Sequence, residues 1–237
     1  MTPYRRILLK LSGEALAGSD GHGLNPEVLA VLADELKELV TRNVQVALVV
    51  GAGNFFRGMS SRGRTMNRVT ADYIGMLGTV MNSLALADFL RAAGVACVVQ
   101  SAIEVPRLCG LLQPLEAIRQ LERGRVVIFA GGTGNPFFTT DSTAALRAAE
   151  IQADVVLKAT KVDGVYCSNP ATNPKAKRYD TITFDEVLTR KLAVMDLTAI
   201  TLCRENNIPI IVFNMTTRGN LLRVLEGTAV CTRVGQG

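Results

Sequence analysis

Six apolar runs, at 7–11, 44–50, 95–99, 126–130, 155–158 and 208–213, show little alternation between apolar and polar residues. A strand with one wet face alternates, whereas a strand covered on both faces does not. The runs therefore predict buried strands, and a seventh, 229–234, is placed as an edge strand. Between them the apolar spacing becomes helical, which predicts helices over 25–42, 69–93, 114–122, 142–151, 184–191, 195–206 and 217–225. Asn25 before Pro26 is a strong helix start: an amide that can cap free N–H groups, then a residue whose fixed φ suits the first turn. Strands alternating with helices predict an α/β fold, a three-layer sandwich with a central, mainly parallel sheet between helices. There is no repeat and no low-complexity stretch, so a single domain over 1–237 is expected, with 169–177 as a surface loop.

Composition narrows the function classes. With 48% hydrophobic and 20% charged residues the chain reads as a well-packed globule. No uninterrupted apolar run approaches the ~20 residues that cross a bilayer, and the first residues do not read as a secretory signal, so no membrane and a cytoplasmic location are expected. The five cysteines are scattered, odd in number and never spaced Cys-x-x-Cys, which argues against a disulfide framework or a zinc site. Cys97 and Cys203 sit in apolar patterns and read as core thiols. His22 is the only histidine and lies in the glycine-rich stretch 18–23, which leaves Cys–His and Ser–His mechanisms without a base. The net charge of +5 is dispersed, with 5% aromatics and no tryptophan, so no nucleic-acid partner is expected. Lys175-Ala176-Lys177-Arg178 reads as a solvated loop, and the mild positive balance suits anionic phosphates.

Candidate chemistry collects where strands end. Lys10-Leu11-Ser12-Gly13-Glu14 places a lysine beside a Ser-Gly turn, within reach of a phosphate at that edge. Gly51-Ala52-Gly53-Asn54-Phe55-Phe56-Arg57-Gly58 is a glycine turn with an arginine whose fork can hold two phosphate oxygens. The richest run extends from Gly131 through Gly132, Thr133, Gly134, Asn135, Pro136, Phe137, Phe138, Thr139 and Thr140 to Asp141, between a buried strand and a helix. Such a turn presents backbone N–H groups to a phosphate, and its threonines add hydroxyl donors. Lys158-Ala159-Thr160-Lys161 also leaves a strand and leads to an Asp163-Gly164 turn and Tyr166. No Gly-x-x-x-x-Gly-Lys-Ser/Thr occurs, and both glycine loops miss Gly-x-Gly-x-x-Gly because Phe56 and Phe137 stand at the last position. P-loop NTPases and nicotinamide dehydrogenases are poorly supported.

Taken together, and with Met66-Asn67-Arg68-Val69-x-x-Asp72 and Val194-Met195-Asp196, these segments resemble the amino-acid-kinase superfamily and, within it, the bacterial uridylate kinase family. The resemblance runs from about Arg6 to the C-terminus, and its most specific part is Gly134-Asn135-Pro136-Phe137-Phe138-Thr139-Thr140-Asp141. It implies transfer of the γ-phosphoryl of ATP to UMP with Mg2+, in pyrimidine nucleotide biosynthesis. It also implies a homohexamer, GTP as activator and UTP as inhibitor. The UMP side would lie within about 1–150 and the ATP side within about 151–237. Matched residue by residue, Lys10, Leu11, Ser12, Gly13, Gly53 and Arg57 would meet ATP phosphates, with Thr160, Tyr166 and Asn169 on the adenosine side. Ala52, Asp72 and Thr133, Gly134, Asn135, Pro136, Phe137, Phe138, Thr139 and Thr140 would bind UMP. Lys10, Arg57, Asp141 and Asp196 would be catalytic, with Asp141 and Asp196 organising Lys10 and magnesium and Asp141 the candidate metal ligand.

The UMP phosphate is already an ionised nucleophile, so such a reaction needs alignment and charge neutralisation rather than a strong base. Three departures from the family pattern stand out: Ala52 where glycine is usual, Asn169 where aspartate is common, and an unusually apolar 107–113, which weakens the expectation of GTP control. Alternatives are a related kinase acting on an acyl or carbamoyl acceptor, and a nucleotide sensor or DNA-binding regulator on the same fold.

Overall fold

The computed structural model describes residues 3–56 and 66–237. In chain order its strands are β1 (Arg6–Leu11), β2 (Gln45–Val50), β3 (Cys97–Ser101), β4 (Gly110–Leu111), β5 (Val126–Ala130), β6 (Val155–Thr160), β7 (Val165–Tyr166), β8 (Arg178–Tyr179), β9 (Thr181–Thr183), β10 (Ile210–Asn214) and β11 (Cys231–Gly235). Its helices are α1 (Gly13–Leu16), α2 (Pro26–Thr41), α3 (Arg68–Ala92), α4 (Pro114–Glu122), α5 (Thr140–Glu150), α6 (Phe184–Thr189), α7 (Leu197–Glu205) and α8 (Asn220–Leu225). Nine strands form one sheet in the order β4-β3-β5-β2-β1-β6-β10-β11-β9, parallel throughout except for the β10–β11 pair. β7 and β8 make a separate antiparallel ribbon.

The apolar runs end up where their lack of alternation requires. Every residue of β2 and β5 is buried. In β1, Ile7, Leu9 and Leu11 face the layer of α2, α3 and α8, whereas Leu8 faces the layer of α4, α5, α6 and α7. Burying a side chain of this size stabilises by about 1.5–3 kcal/mol, so each central strand is fixed from both faces. Asn25 caps α2 as expected, its carboxamide oxygen accepting from Val28 N–H, with Pro26 in the first turn. A full capping box, Thr183 with Glu186, starts α6.

Three expectations are corrected. The 229–234 strand is not an edge: β11 lies between β10 and β9, and the short β9 takes the edge. The helix expected from 142 begins at Thr140, because the Thr139 hydroxyl accepts from Asp141 and Ser142 N–H and moves the cap forward. Arg178 is not a loop cation: it lies in β8, half-buried, and donates to the Cys231 carbonyl and to Asp180. In addition, α3 is long and apolar enough, by length and composition, to cross a membrane. Half of its most apolar window is buried inside the molecule, while Tyr73, Leu77 and Met81 on its outer face are exposed.

Candidate functional site

The C-terminal ends of β1, β2, β5 and β6 lie side by side, as parallel pairing requires, and the loops leaving them converge. Lys10 is in register with Lys158 on the neighbouring strand. Leu11 and Ala159, one residue on, point to the α2 side, so alternation sends both lysines to the α5 side. Two adjacent ammonium groups repel, and the first turn of α5 supplies the counter-charge. Asp141 Oδ1 lies 2.9 Å from Lys10 Nζ, and its Oδ2 lies 2.8 Å from Lys158 Nζ. Lys158 also donates to the Val194 carbonyl at 2.5 Å. Burial alone pushes the Asp141 carboxyl up, but the two lysines outweigh it and hold the group below its ordinary value. Burial pushes the Lys158 ammonium down, and Asp141 only partly offsets this. The two ammonium groups share one directly paired carboxylate, with Asp196 acting on Lys158 from the start of α7, and a lysine pair of this kind is suited to a phosphoryl group.

Asp196 does a different job. It caps α7 by accepting from Ala199 N–H at 2.8 Å. It also accepts from the Ser142 hydroxyl at 2.8 Å and from the Thr139 hydroxyl. Thr139 in turn caps α5, so one carboxylate ties the start of α5, and therefore Asp141, to the start of α7. Of the two aspartates proposed to organise Lys10, the structure brings Asp141 to it, and Asp196 acts one helix start away.

The glycine turns pack closely. A Cβ on Gly13 would lie 2.4 Å from Asn54 Oδ1, 2.6 Å from Gly51 O and 2.7 Å from Gly53 N, so only glycine allows the β1 and β2 turns to touch. Helix α3 holds the other side. A Cβ on Gly78 would meet the Ala52 methyl at 2.8 Å, and the Thr79 hydroxyl accepts from Gly131 N–H at 2.8 Å. Ala52 is not among the residues with positive φ. Its methyl therefore fills the space beside Gly78 without backbone strain.

A cleft of about 430 Å³ opens between α3 and the 131–140 loop. Of the residues expected to bind an acceptor, Ala52, Asp72, Thr133, Asn135, Phe138, Thr139 and Thr140 line it, as does Gly53; Gly134, Pro136 and Phe137 do not. Phe137 instead adopts φ 73° and is 65% exposed. Its N–H donates to Asp72 Oδ2 at 2.7 Å, and Arg68, which pairs with Asp72 at 2.8 Å, sits over its ring. A second cleft, of about 460 Å³, lies on the α2 side; Leu11, Ser12 and Thr160 line it together with Val28, Val31 and Glu35. Burial raises the Glu35 carboxyl, which accepts from Gly219 N–H. Tyr166 and Asn169 do not line this cleft: the Tyr166 hydroxyl donates to Asp163, and the Asn169 side chain accepts from Ala171 N–H. Arg57 lies outside the described residues.

Sequence reading did not assign roles to Lys158, Ser142, Arg68 or Thr79. Lys158 had a visible signal, since like Lys10 it stands near the end of its strand, and Arg68 had one in its i,i+4 spacing to Asp72; Thr79 and Ser142 make contacts across 52 and 54 residues of chain that no local pattern reveals. Among the described residues no three His, Cys, Asp or Glu side chains gather in a way that could hold a metal ion.

A mainly parallel sheet with close-packed glycine turns at its carboxyl edge, and a lysine pair bridged by one aspartate, defines a class, and the family model for that class matches. The amino acid kinase family model covers residues 5–214, and the chain belongs to that family. Among solved structures it is similar to the UMP kinase from Bacillus anthracis, with 38% identity over 98% of this chain and 96% of that one and a TM-score of 0.94. It is similar to the UMP kinase from Ureaplasma parvum, with 39% identity, 98% and 99% coverage and a TM-score of 0.93. The uridylate kinase from Archaeoglobus fulgidus is more distant, at 30% identity, 99% and 100% coverage and a TM-score of 0.74.

Proposed function

We infer that this chain is a nucleoside monophosphate kinase that transfers the γ-phosphoryl of ATP to UMP, giving ADP and UDP. One observation carries the reading: the Lys10–Asp141–Lys158 centre lies at the start of α5, directly after the threonine loop that lines the α3 cleft. Full-length similarity to two UMP kinases at 38% and 39% identity supports the same acceptor.

In this reading an oxygen of the UMP phosphate attacks the γ-phosphorus. The bond to the β–γ bridging oxygen breaks, and its electrons leave with ADP. Lys10 neutralises the transferred phosphoryl group, and Lys158 adds the second cation that lets two polyanions approach. Asp141 aims both lysines. Asp196 fixes Asp141 through Thr139 and Ser142. Leu11, Ser12, Gly13 and Gly53 face the ATP phosphates, joined by Arg57, and Thr160 borders the adenosine side; Tyr166 and Asn169 reach it only if their present internal bonds open. Ala52 and Asp72, with the Thr133–Thr140 run, take UMP. Asp72 exchanges the Phe137 N–H for ribose hydroxyls when UMP enters.

Magnesium fits poorly as a protein-held ion: Asp141 Oδ2 accepts from Lys158, Oδ1 is ion-paired with Lys10 though it accepts no hydrogen bond, and Asp196 is matched by three donors, so one carboxylate oxygen is all the centre could offer a metal. It would travel on the ATP phosphates, where such an ion neutralises charge with few protein ligands. We further propose a homohexamer, with GTP as activator and UTP as inhibitor, acting in the cytoplasm in pyrimidine biosynthesis. The apolar outer face of α3, with Tyr73, Leu77 and Met81 exposed, supports self-association.

The test is ADP release with ATP, magnesium and each of UMP, CMP, dUMP, aspartate, glutamate and carbamate. Turnover with UMP far above the others is expected. Turnover with an acyl or carbamoyl acceptor instead would replace the reading, and nucleotide binding without turnover would make the chain a sensor.

A further inference from the structure

Two buried amides stand behind the phosphate turns. Asn54, in the turn after β2, is 4% exposed, and Asn82, in the middle of α3, is 0% exposed. They face each other: Asn54 Nδ2 donates to Asn82 Oδ1 at 2.9 Å, and Asn82 Nδ2 donates to Asn54 Oδ1 at 2.8 Å. Each has one amide hydrogen left. That of Asn82 goes to the Gly51 carbonyl at 2.7 Å, and that of Asn54 goes to the Gly23 carbonyl at 2.6 Å. The backbone closes the last link, with Gly23 N–H donating to the Asn54 carbonyl at 3.1 Å.

All four amide hydrogens are used. A core position needs no amide, and a buried one is costly unless every group is paired. This network joins three segments that no secondary structure joins: α3, the 51–54 turn and the 18–23 loop. The Asn54 oxygen is also the atom nearest to where a Cβ on Gly13 would stand, so the amide pair forms the wall against which the β1 phosphate turn rests.

We propose that Asn82, acting through Asn54, is a positioning residue for phosphoryl transfer. It fixes the 51–54 turn against Gly13 and couples the 18–23 loop to that turn. Neither amide needs to touch substrate. The inference rests on the phosphotransfer reading above, and it makes a structural claim that can be tested without turnover.

The test uses Asn82→Leu, which fills the space without donors, together with Asn54→Ala and the double variant. Hydrogen–deuterium exchange is followed on the full chain, beside steady-state kinetics with ATP and UMP. In Asn82→Leu, exchange should rise at least tenfold in the peptide spanning 18–25, which Asn82 does not touch, while peptides of β5 and α5 stay protected. At a temperature well below melting, kcat should fall tenfold or more, by a larger factor than KM for UMP rises. The double variant should lose no more kcat than the worse single one, because both act through one device. Native exchange at 18–25, wild-type kcat in the folded variants, or losses that multiply would each overturn the proposal. If Asn82→Leu does not fold, Asn54→Ala carries the same comparison, read at 18–25 and in kcat. A wild-type chain that ignores UMP would defeat the kinase reading while the exchange result still judges the coupling.

Discussion

At the scale of single residues the centre is a problem in charge balance. Two ammonium groups share one carboxylate, each side chain 13–16% exposed, and Asp196 adds a second negative charge that acts on Lys158. Lys10→Ala and Lys158→Ala should each lower kcat by at least a hundredfold with unchanged circular dichroism, because in the proposed reaction each would remove a cation from the reacting phosphates. Turnover near wild type in either variant would take that lysine out of the mechanism. Asp141→Asn should cost stability as well, since it strands two partly buried cations. Breaking such a pair costs about 3 kcal/mol or more, roughly 6–12 °C in Tm for a chain of this size. The sign with pH follows from the direction of the shift. The Asp141 carboxyl is held below 3.8, its ordinary value, so its stabilisation is complete above about pH 4 and disappears as pH falls through the folded-state value. Lys158 is shifted below 10.5, so its charge is a constant cost at neutral pH, relieved only as pH rises past its lowered value. The Tm gap between wild type and Asp141→Asn should therefore narrow between pH 7 and pH 3, and a gap that stays constant by calorimetry would exclude the pairing as its source. Sequence reading named Lys10, Asp72, Asp141 and Asp196 as candidates because each sits in a local motif. It could not find that Asp141 bridges two lysines, since that depends on strand register between segments 148 residues apart.

At the scale of elements, helix starts do the positioning. Asp196→Ala removes the cap of α7 and the acceptor for Thr139 and Ser142, so α5 loses its tether. Loss of a cap costs about 1 kcal/mol, roughly 2–4 °C in Tm. Thr183→Ala, which breaks the capping box of α6, removes a comparable interaction among contacts that include none of the lysine centre. Both variants should melt a few degrees lower, but only Asp196→Ala should lose turnover, by tenfold or more. Equal kinetic effects in the two would reduce Asp196 to a cap. The same physics sets how much of the fold was legible. Long apolar runs and the Asn25-Pro26 start placed the central strands and α2 closely, because burial on both faces and capping are local signals. The four residues of α1 and the two- or three-residue β4, β7, β8 and β9 carry too little pattern to stand out. The interior place of β11 was misread for a related reason: pairing with β9 is decided by the chain path from β8, not by the apolar content of 229–234.

At the scale of the whole molecule, α3 has two working faces. One holds Gly78 against Ala52 and Thr79 against Gly131. The other exposes Tyr73, Leu77 and Met81, four residues apart and 42%, 49% and 51% accessible. Side chains at that spacing form one stripe along the helix. An apolar stripe on the surface of a folded chain calls for a cover, and in a homo-oligomer the simplest cover is the same stripe on a second copy, related by a two-fold axis. The proposed hexamer therefore predicts that the purified protein sediments as a multiple of its 25.4 kDa chain mass. Leu77→Arg with Met81→Arg should shift it toward the single-chain mass, since desolvated like charges would meet across the axis. Because these side chains point away from the sheet, the variant should keep its fold, and any loss of turnover should follow the loss of assembly as protein is diluted. A wild-type chain sedimenting at 25.4 kDa would remove the hexamer, and an assembly unmoved by the two arginines would place its interface elsewhere.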